Sequence, residues 1–202
     1  KNIPIGTSIN LSGAASELER TWISMKQNVL IALFVIFLLL TVLMKSFILP
    51  LVIMITVPVA GAGGVLGLVV LNKFSPQPLD MLTMLGFIIL AGIVVNNSIL
   101  MVEQALWHMR FEAMKISEAI VESTRNRIRP IFMSTLTSLF GLIPLVLFPG
   151  SGSELYRGIG TVVFGGLATS AILTLLMVPP LLALALKTEK IDTLKNDDDI
   201  FA

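Results

Sequence analysis

The sequence predicts an all-α membrane protein, a bundle of five transmembrane helices accompanied by a helix on the cytoplasmic surface. Of its 202 residues, 55% are hydrophobic and 13% are charged. That is about half the charged share of an ordinary soluble domain. The apolar residues gather into five runs, each near the ~20 residues that a helix needs to cross about 30 Å of hydrocarbon. Prolines mark the starts of several runs, where a missing N–H costs least: Pro50, Pro130 and the pair Pro76/Pro78.

Taken in chain order, residues 1–28 are more polar than the apolar runs, with Glu17, Glu19 and Arg20. They read as the end of an extracytoplasmic domain and its lead into the membrane. The first span covers about 29–44 and the second about 51–71, with Pro58 inside it as a candidate kink. The third covers about 79–101. Residues 105–128 mix Trp107, Phe111, Met114, Ala119 and Ile120 with charges, the pattern of a helix lying along the cytoplasmic membrane surface. The fourth span covers about 130–148, with Pro144 as a second candidate kink, and the fifth about 159–186. Together 29–186 form the transmembrane bundle. The tail, 187–202, runs through Asn196-Asp197-Asp198-Asp199 and is expected to be solvated and disordered.

Lysine and arginine set the orientation. One side collects Lys45, Arg110, Lys115, Arg125, Arg127, Arg129, Lys187, Lys190 and Lys195; the other has Lys1, Arg20, Lys26, Lys73 and Arg157. Nine against five places the first group in the cytoplasm, with the N-terminus outside and the C-terminus inside. The chain begins at Lys1 without a signal-peptide pattern, so it is read as a piece of a longer protein. A net charge of +1 with dispersed basic residues gives no case for nucleic acid. The absence of cysteine excludes disulfides and thiolate metal sites, and the one histidine, His108, leaves little scope for a metal centre. No metal site and no cofactor are expected.

Small residues concentrate in two spans. Gly63 and Gly67 stand four apart in the second, and Gly165 and Gly166 are adjacent in the fifth. Such positions let backbones approach closely where lipid supplies no hydrophobic drive. Tight packing is the plainer reading; a surface on which helices slide during a transport cycle is the sharper one. No Gly-Lys-Ser/Thr ending supports a phosphate-cradling loop.

The third span contains Gly92-Ile93-Val94-Val95-Asn96-Asn97-Ser98-Ile99, two adjacent carboxamides within hydrocarbon depth. An amide buried there without a partner costs several kcal/mol, so Asn96 and Asn97 must face protein or water. Glu103 follows Asn96 by seven residues on the same face. In the fourth span Ser134, Thr137 and Ser138 share a face, with Thr135 beside them, and Arg127 and Arg129 precede it. Facing polar stripes form proton or ion paths; hydrogen bonds that merely hold helices together are the alternative. No aspartate or glutamate lies near the centre of a span, so a titrating carboxylate would belong to another part of the protein.

These motifs, with Arg127-Ile128-Arg129-Pro130-Ile131-Phe132-Met133-Ser134-Thr135 and the turn Lys45-Ser46-Phe47-Ile48-Leu49-Pro50, resemble the C-terminal half of resistance-nodulation-division (RND) efflux transporters. The resemblance covers nearly the whole chain, from a last extracytoplasmic strand at about 5–11 to the tail. It implies helices eight to twelve of a twelve-helix protomer, in the inner membrane of Gram-negative bacteria. Such pumps are homotrimers that exchange protons for drugs, detergents or other amphiphiles, driven by the proton motive force. They work with a periplasmic adaptor protein and an outer-membrane channel.

The family's paired aspartates lie on helix four, within the N-terminal half that this chain lacks. By position, Asn96 stands where many drug-efflux members have a lysine that pairs with those aspartates, and Asn97 matches the asparagine that comes next. Arg127 matches an arginine at the cytoplasmic end of helix eleven, and Ser134 a hydroxyl residue of the proton-relay cluster. The neutral amide at 96 removes a built-in counter-ion. The metal-exporting branch typically has a glutamate near this site, and its absence argues against heavy-metal transport. The resemblance implies a secondary active transporter, not an enzyme. Two alternatives remain: a lipid-exporting or protein-translocation member of the wider superfamily, or a non-transporting membrane scaffold.

Overall fold

The computed structural model describes residues 14–198 apart from 78, 149, 151 and 153, with side chains described from 23 to 188 except those four and 25. The strand expected at 5–11 and the last four residues of the acidic tail lie outside the described residues. Among the described residues six α-helices form: α1 (Ala14–Met44), α2 (Ile48–Met54), α3 (Thr56–Asn72), α4 (Met81–Phe111), α5 (Ile116–Leu147) and α6 (Arg157–Asp198). A short 3-10 turn, Glu154–Tyr156, precedes α6, and there is no strand among the described residues. Five of the described helical stretches are long and apolar enough to cross a membrane: 26–44, 48–72, 81–111, 116–147 and 154–188. Each overlaps one of the five apolar runs.

α6 is the spine, packing on α2, α3, α4 and α5, whereas α1 packs mainly on α2 and α4. α1 leaves Leu30, Phe34, Leu39 and Val42 exposed. The buried apolar side chains form two clusters. One joins Leu40 and Met44 of α1, Leu49, Val52 and Ile53 of α2, Val95 to Ala105 of α4, and Val178 to Leu186 of α6. The other joins Ala60 and Leu68 of α3, Leu90 and Val94 of α4, and Val162, Val163 and Leu167 of α6.

Glycine sets the closest crossing, between α3 and α6. A Cβ on Gly165 would stand 2.7 Å from the Gly63 carbonyl oxygen and 2.8 Å from Gly67 Cα. A Cβ on Gly67 would stand 2.9 Å from the Thr161 carbonyl oxygen. Gly166 admits the end of Leu90 from α4 in the same way. These contacts leave no room for a side chain, as close helix approach in lipid requires.

Span two is interrupted at Ile55, between α2 and α3, as the kink expected at Pro58 requires: that residue has no N–H to offer the Met54 carbonyl. The elements depart from expectation in three places. Pro130 does not open a helix; α5 starts at Ile116 and runs through both Pro130 and Pro144. Burial of Ala119, Ile120 and Ser123 holds the first half of α5 helical, against the loss of one hydrogen bond at the proline.

Residues 105–128 are largely helical, but the end of α4 and the start of α5 share them and no separate surface helix forms. α4 closes where Ala113 takes a φ of 51° and the amides of Glu112 and Met114 both return to the His108 carbonyl. Lastly, α6 stays helical to Asp198 where a disordered tail was expected. No glycine or proline comes after Pro180 to stop it.

Candidate functional site

α4 places the amide doublet. Its first turn is capped by Asp80, whose Oδ1 accepts the Thr83 backbone N–H at 2.8 Å and the Thr83 hydroxyl at 2.6 Å. This satisfies one of the donors that every helix start leaves open. From Met81 to Phe111 the helix is unbroken, and Asn96 is its middle residue. Asn96 is exposed and Asn97 half-buried, and neither side chain has a hydrogen-bond partner among the described residues. Gly92, one turn before Asn96, and Glu103, two turns after it, are exposed on the same face.

α5 runs back beside α4. Measured from the turn that joins them, Asn96 lies 15 residues up α4 and Ser134 lies 18 residues up α5. At 1.5 Å per residue those are depths of about 22 and 27 Å. Ser134, Thr137, Ser138 and Gly141 are all exposed on one side of α5, while Thr135 is buried. Ser134 and Thr137 donate their hydroxyls to carbonyls of their own helix, those of Ile131 at 3.1 Å and Met133 at 2.8 Å. The two stripes therefore lie at comparable depth, uncovered and without a bond from either amide to Ser134.

Arg127 is bound to α4. Its Nε–H donates to Gln104 Oε1 at 2.6 Å, and the side chain is half-buried. Gln104 was not singled out in the sequence; its place eight residues beyond Asn96, beside Glu103, was the available sign. Ser98 follows the amide doublet directly. It is fully buried, and its hydroxyl reaches Thr56 Oγ1 at 3.2 Å. Thr56 in turn donates to the Ile53 carbonyl at 2.6 Å. The structure thus brings Arg127 together with Gln104 and Ser98 together with Thr56, and leaves Asn96 and Ser134 exposed and Asn97 half-buried. Gly63, Gly67, Gly165 and Gly166 lie behind them, at the crossings of α6 with α3 and α4.

His108 is buried, with its Nδ1 2.7 Å from Glu112 Oε2, while its Nε2 has no partner among the described residues. Among the described residues no three acidic, histidine or cysteine side chains cluster as metal ligands would.

Residues 1–185 match the AcrB/AcrD/AcrF family. The chain is similar to the multidrug resistance protein MdtC of Erwinia tasmaniensis and to that of Erwinia amylovora. Each is 37% identical over 177 residues, which cover 88% of this chain and 17% of the relative. The MdtC of Pectobacterium carotovorum subsp. carotovorum is 36% identical over the same length. The chain spans about 17% of the length of these relatives.

Proposed function

The chain belongs to the AcrB/AcrD/AcrF family, and on that premise we propose that it is the C-terminal transmembrane part of a proton-driven RND pump exporting drugs or other amphiphilic compounds. One observation carries the reading. A helix face at mid-membrane presents Gly92 and Asn96, and its neighbour presents Ser134, Thr137 and Ser138, all uncovered. An unpaired amide in contact with acyl chains costs several kcal/mol, so this face must be met by protein or water. Carboxylates supplied from the remainder of the transporter are the partners that proton exchange requires.

In this reading Asn96 and Asn97 donate N–H groups to those carboxylates when they are ionised and give up those bonds when the acids take a proton. Ser134 accepts or donates on the opposite side, and Arg127, held by Gln104, fixes the inner end of α5. A neutral amide at 96 stabilises an ionised acid less than an ammonium does, so more of the charge balance falls to the acids themselves. The driving force is the proton motive force, and no cofactor or metal takes part. The protein lies in the bacterial inner membrane as a homotrimer, N-terminus periplasmic and C-terminus cytoplasmic. A periplasmic adaptor and an outer-membrane channel complete the path. The relatives' names favour drugs over lipids as cargo.

The test is drug accumulation in cells whose full-length transporter carries Asn96→Ala or Asn97→Ala. Each interhelical bond in a membrane contributes about 0.6–2 kcal/mol, so efflux should fall about 3- to 30-fold in at least one variant while the amount of assembled protein is unchanged. Wild-type efflux in both variants would remove the doublet from the mechanism.

A further inference from the structure

The two apolar clusters part from one another at mid-depth. The first stops at Ile53 on span two, Val95 on α4 and Val178 on α6; the second stops at Ala60, Val94 and Leu167 on the same three spans. Buried hydroxyls occupy this level: Thr56, Ser98, Ser170 and Thr174. Ser98 and Thr56 are joined at 3.2 Å, and the Thr56 hydroxyl ends on the Ile53 carbonyl at 2.6 Å. The Ser98 hydroxyl also lies 3.1 Å from the Val94 carbonyl of its own helix, and Ser170 likewise turns back to the Leu167 carbonyl of its own.

Two of the three spans are weakened here. Pro58 leaves the Met54 carbonyl without an amide donor, and regular helix is interrupted at Ile55. Pro179 and Pro180, both inside α6, do the same for the carbonyls of Leu175 and Leu176, next to Thr174. α4 is the one of the three without a proline, and it carries Asn96 and Asn97 between Val95 and Ser98. Beyond this level, glycine contacts lock α3 to α6 at Gly63, Gly67 and Gly165, and lock α6 to α4 at Gly86 and Gly166. On that side the helix backbones are in close contact, and the free carbonyls lie at the prolines.

We infer that this level is a hinge, and that Thr56 and Ser98 are positioning residues coupling the amide-bearing turn of α4 to the bend of span two. The inference rests on the transport reading above. Ser98 is one residue from Asn97, so a shift of α4 at the doublet moves its hydroxyl. Among the described residues, the polar group that this hydroxyl meets on another helix is Thr56, at the turn where span two can bend. Replacing either hydroxyl by a hydrogen or methyl keeps the apolar packing and removes the link.

Spin labels at the exposed positions Leu51 and Leu66 flank the bend in span two. In the full-length transporter their separation should differ between acidic and alkaline buffer, reporting a change of bend. Thr56→Val and Ser98→Ala should abolish that difference and lower efflux of ethidium and of sodium dodecyl sulfate about 3- to 10-fold. Assembly and thermal stability should stay near wild type, and Thr56→Ser, which keeps the hydroxyl, should restore both readouts. A wild-type label distance that is the same in both buffers overturns the hinge without reference to any variant. So does wild-type efflux in Thr56→Val and Ser98→Ala. If Asn96→Ala or Asn97→Ala impairs efflux while these two do not, the hinge fails and the transport reading stands. If all four variants export normally, both fail.

Discussion

Arg127 Nε donates to Gln104 Oε1 at 2.6 Å, tying α5 to α4 two turns inward of Asn96. The bond uses the Nε–H of a guanidinium, a donor that lysine does not possess. Arg127→Lys should therefore behave like Arg127→Ala. A double-mutant cycle with Gln104→Ala, read by thermal unfolding of the purified full-length protein, should give a coupling of about 0.5–2 kcal/mol. Additive effects would mean that the contact contributes nothing.

The α3–α6 crossing should tolerate no side chain. Gly165→Ala and Gly67→Ala each place a Cβ within 3 Å of backbone on the facing helix. Each should lower stability by about 1–3 kcal/mol. Gly61→Ala, with nothing within 4 Å of the new Cβ, should be neutral or slightly stabilising. Fluorescence-detected size exclusion after heating separates the two classes.

Ala113 holds a left-handed φ of 51° at the end of α4. An L-residue pays about 1–2 kcal/mol for that conformation, and glycine does not. Ala113→Gly should raise thermal stability, by about 1 kcal/mol once glycine's greater freedom in the unfolded chain is deducted. A lower melting temperature would show that the turn is not held this way.

His108 buries an Nε2 that has no partner among the described residues, while its Nδ1 meets a carboxylate that water can reach. His108→Leu removes the orphan and lets Glu112 return to solvent, so stability should change by less than about 1 kcal/mol or rise. A loss of several kcal/mol would point to an unseen partner for Nε2.

Helix identity and number were legible because hydrocarbon thickness imposes a length on every apolar run. Boundaries were less so. Pro130 reads as a start only if the polar residues before it are not helical, and burial of Ile120 and Ser123 against other helices is invisible in the chain. The surface helix failed for the same reason: closure at Ala113 is a backbone event that alanine does not announce. Asn96 and Ser134 could be named because polar groups at that depth are costly. Thr56 and Gln104 were missed because a lone hydroxyl or amide in a helix has many ordinary uses, and only the fold shows what each one touches.

α1 is a rod of 31 residues, about 46 Å long, and among its described side chains the buried ones, Leu40 and Met44, are gathered at one end. Pivoting there, a tilt of about 5° carries the far end about 4 Å sideways. By that geometry a small angular change at the seated end would become a displacement of atomic-contact size at the other.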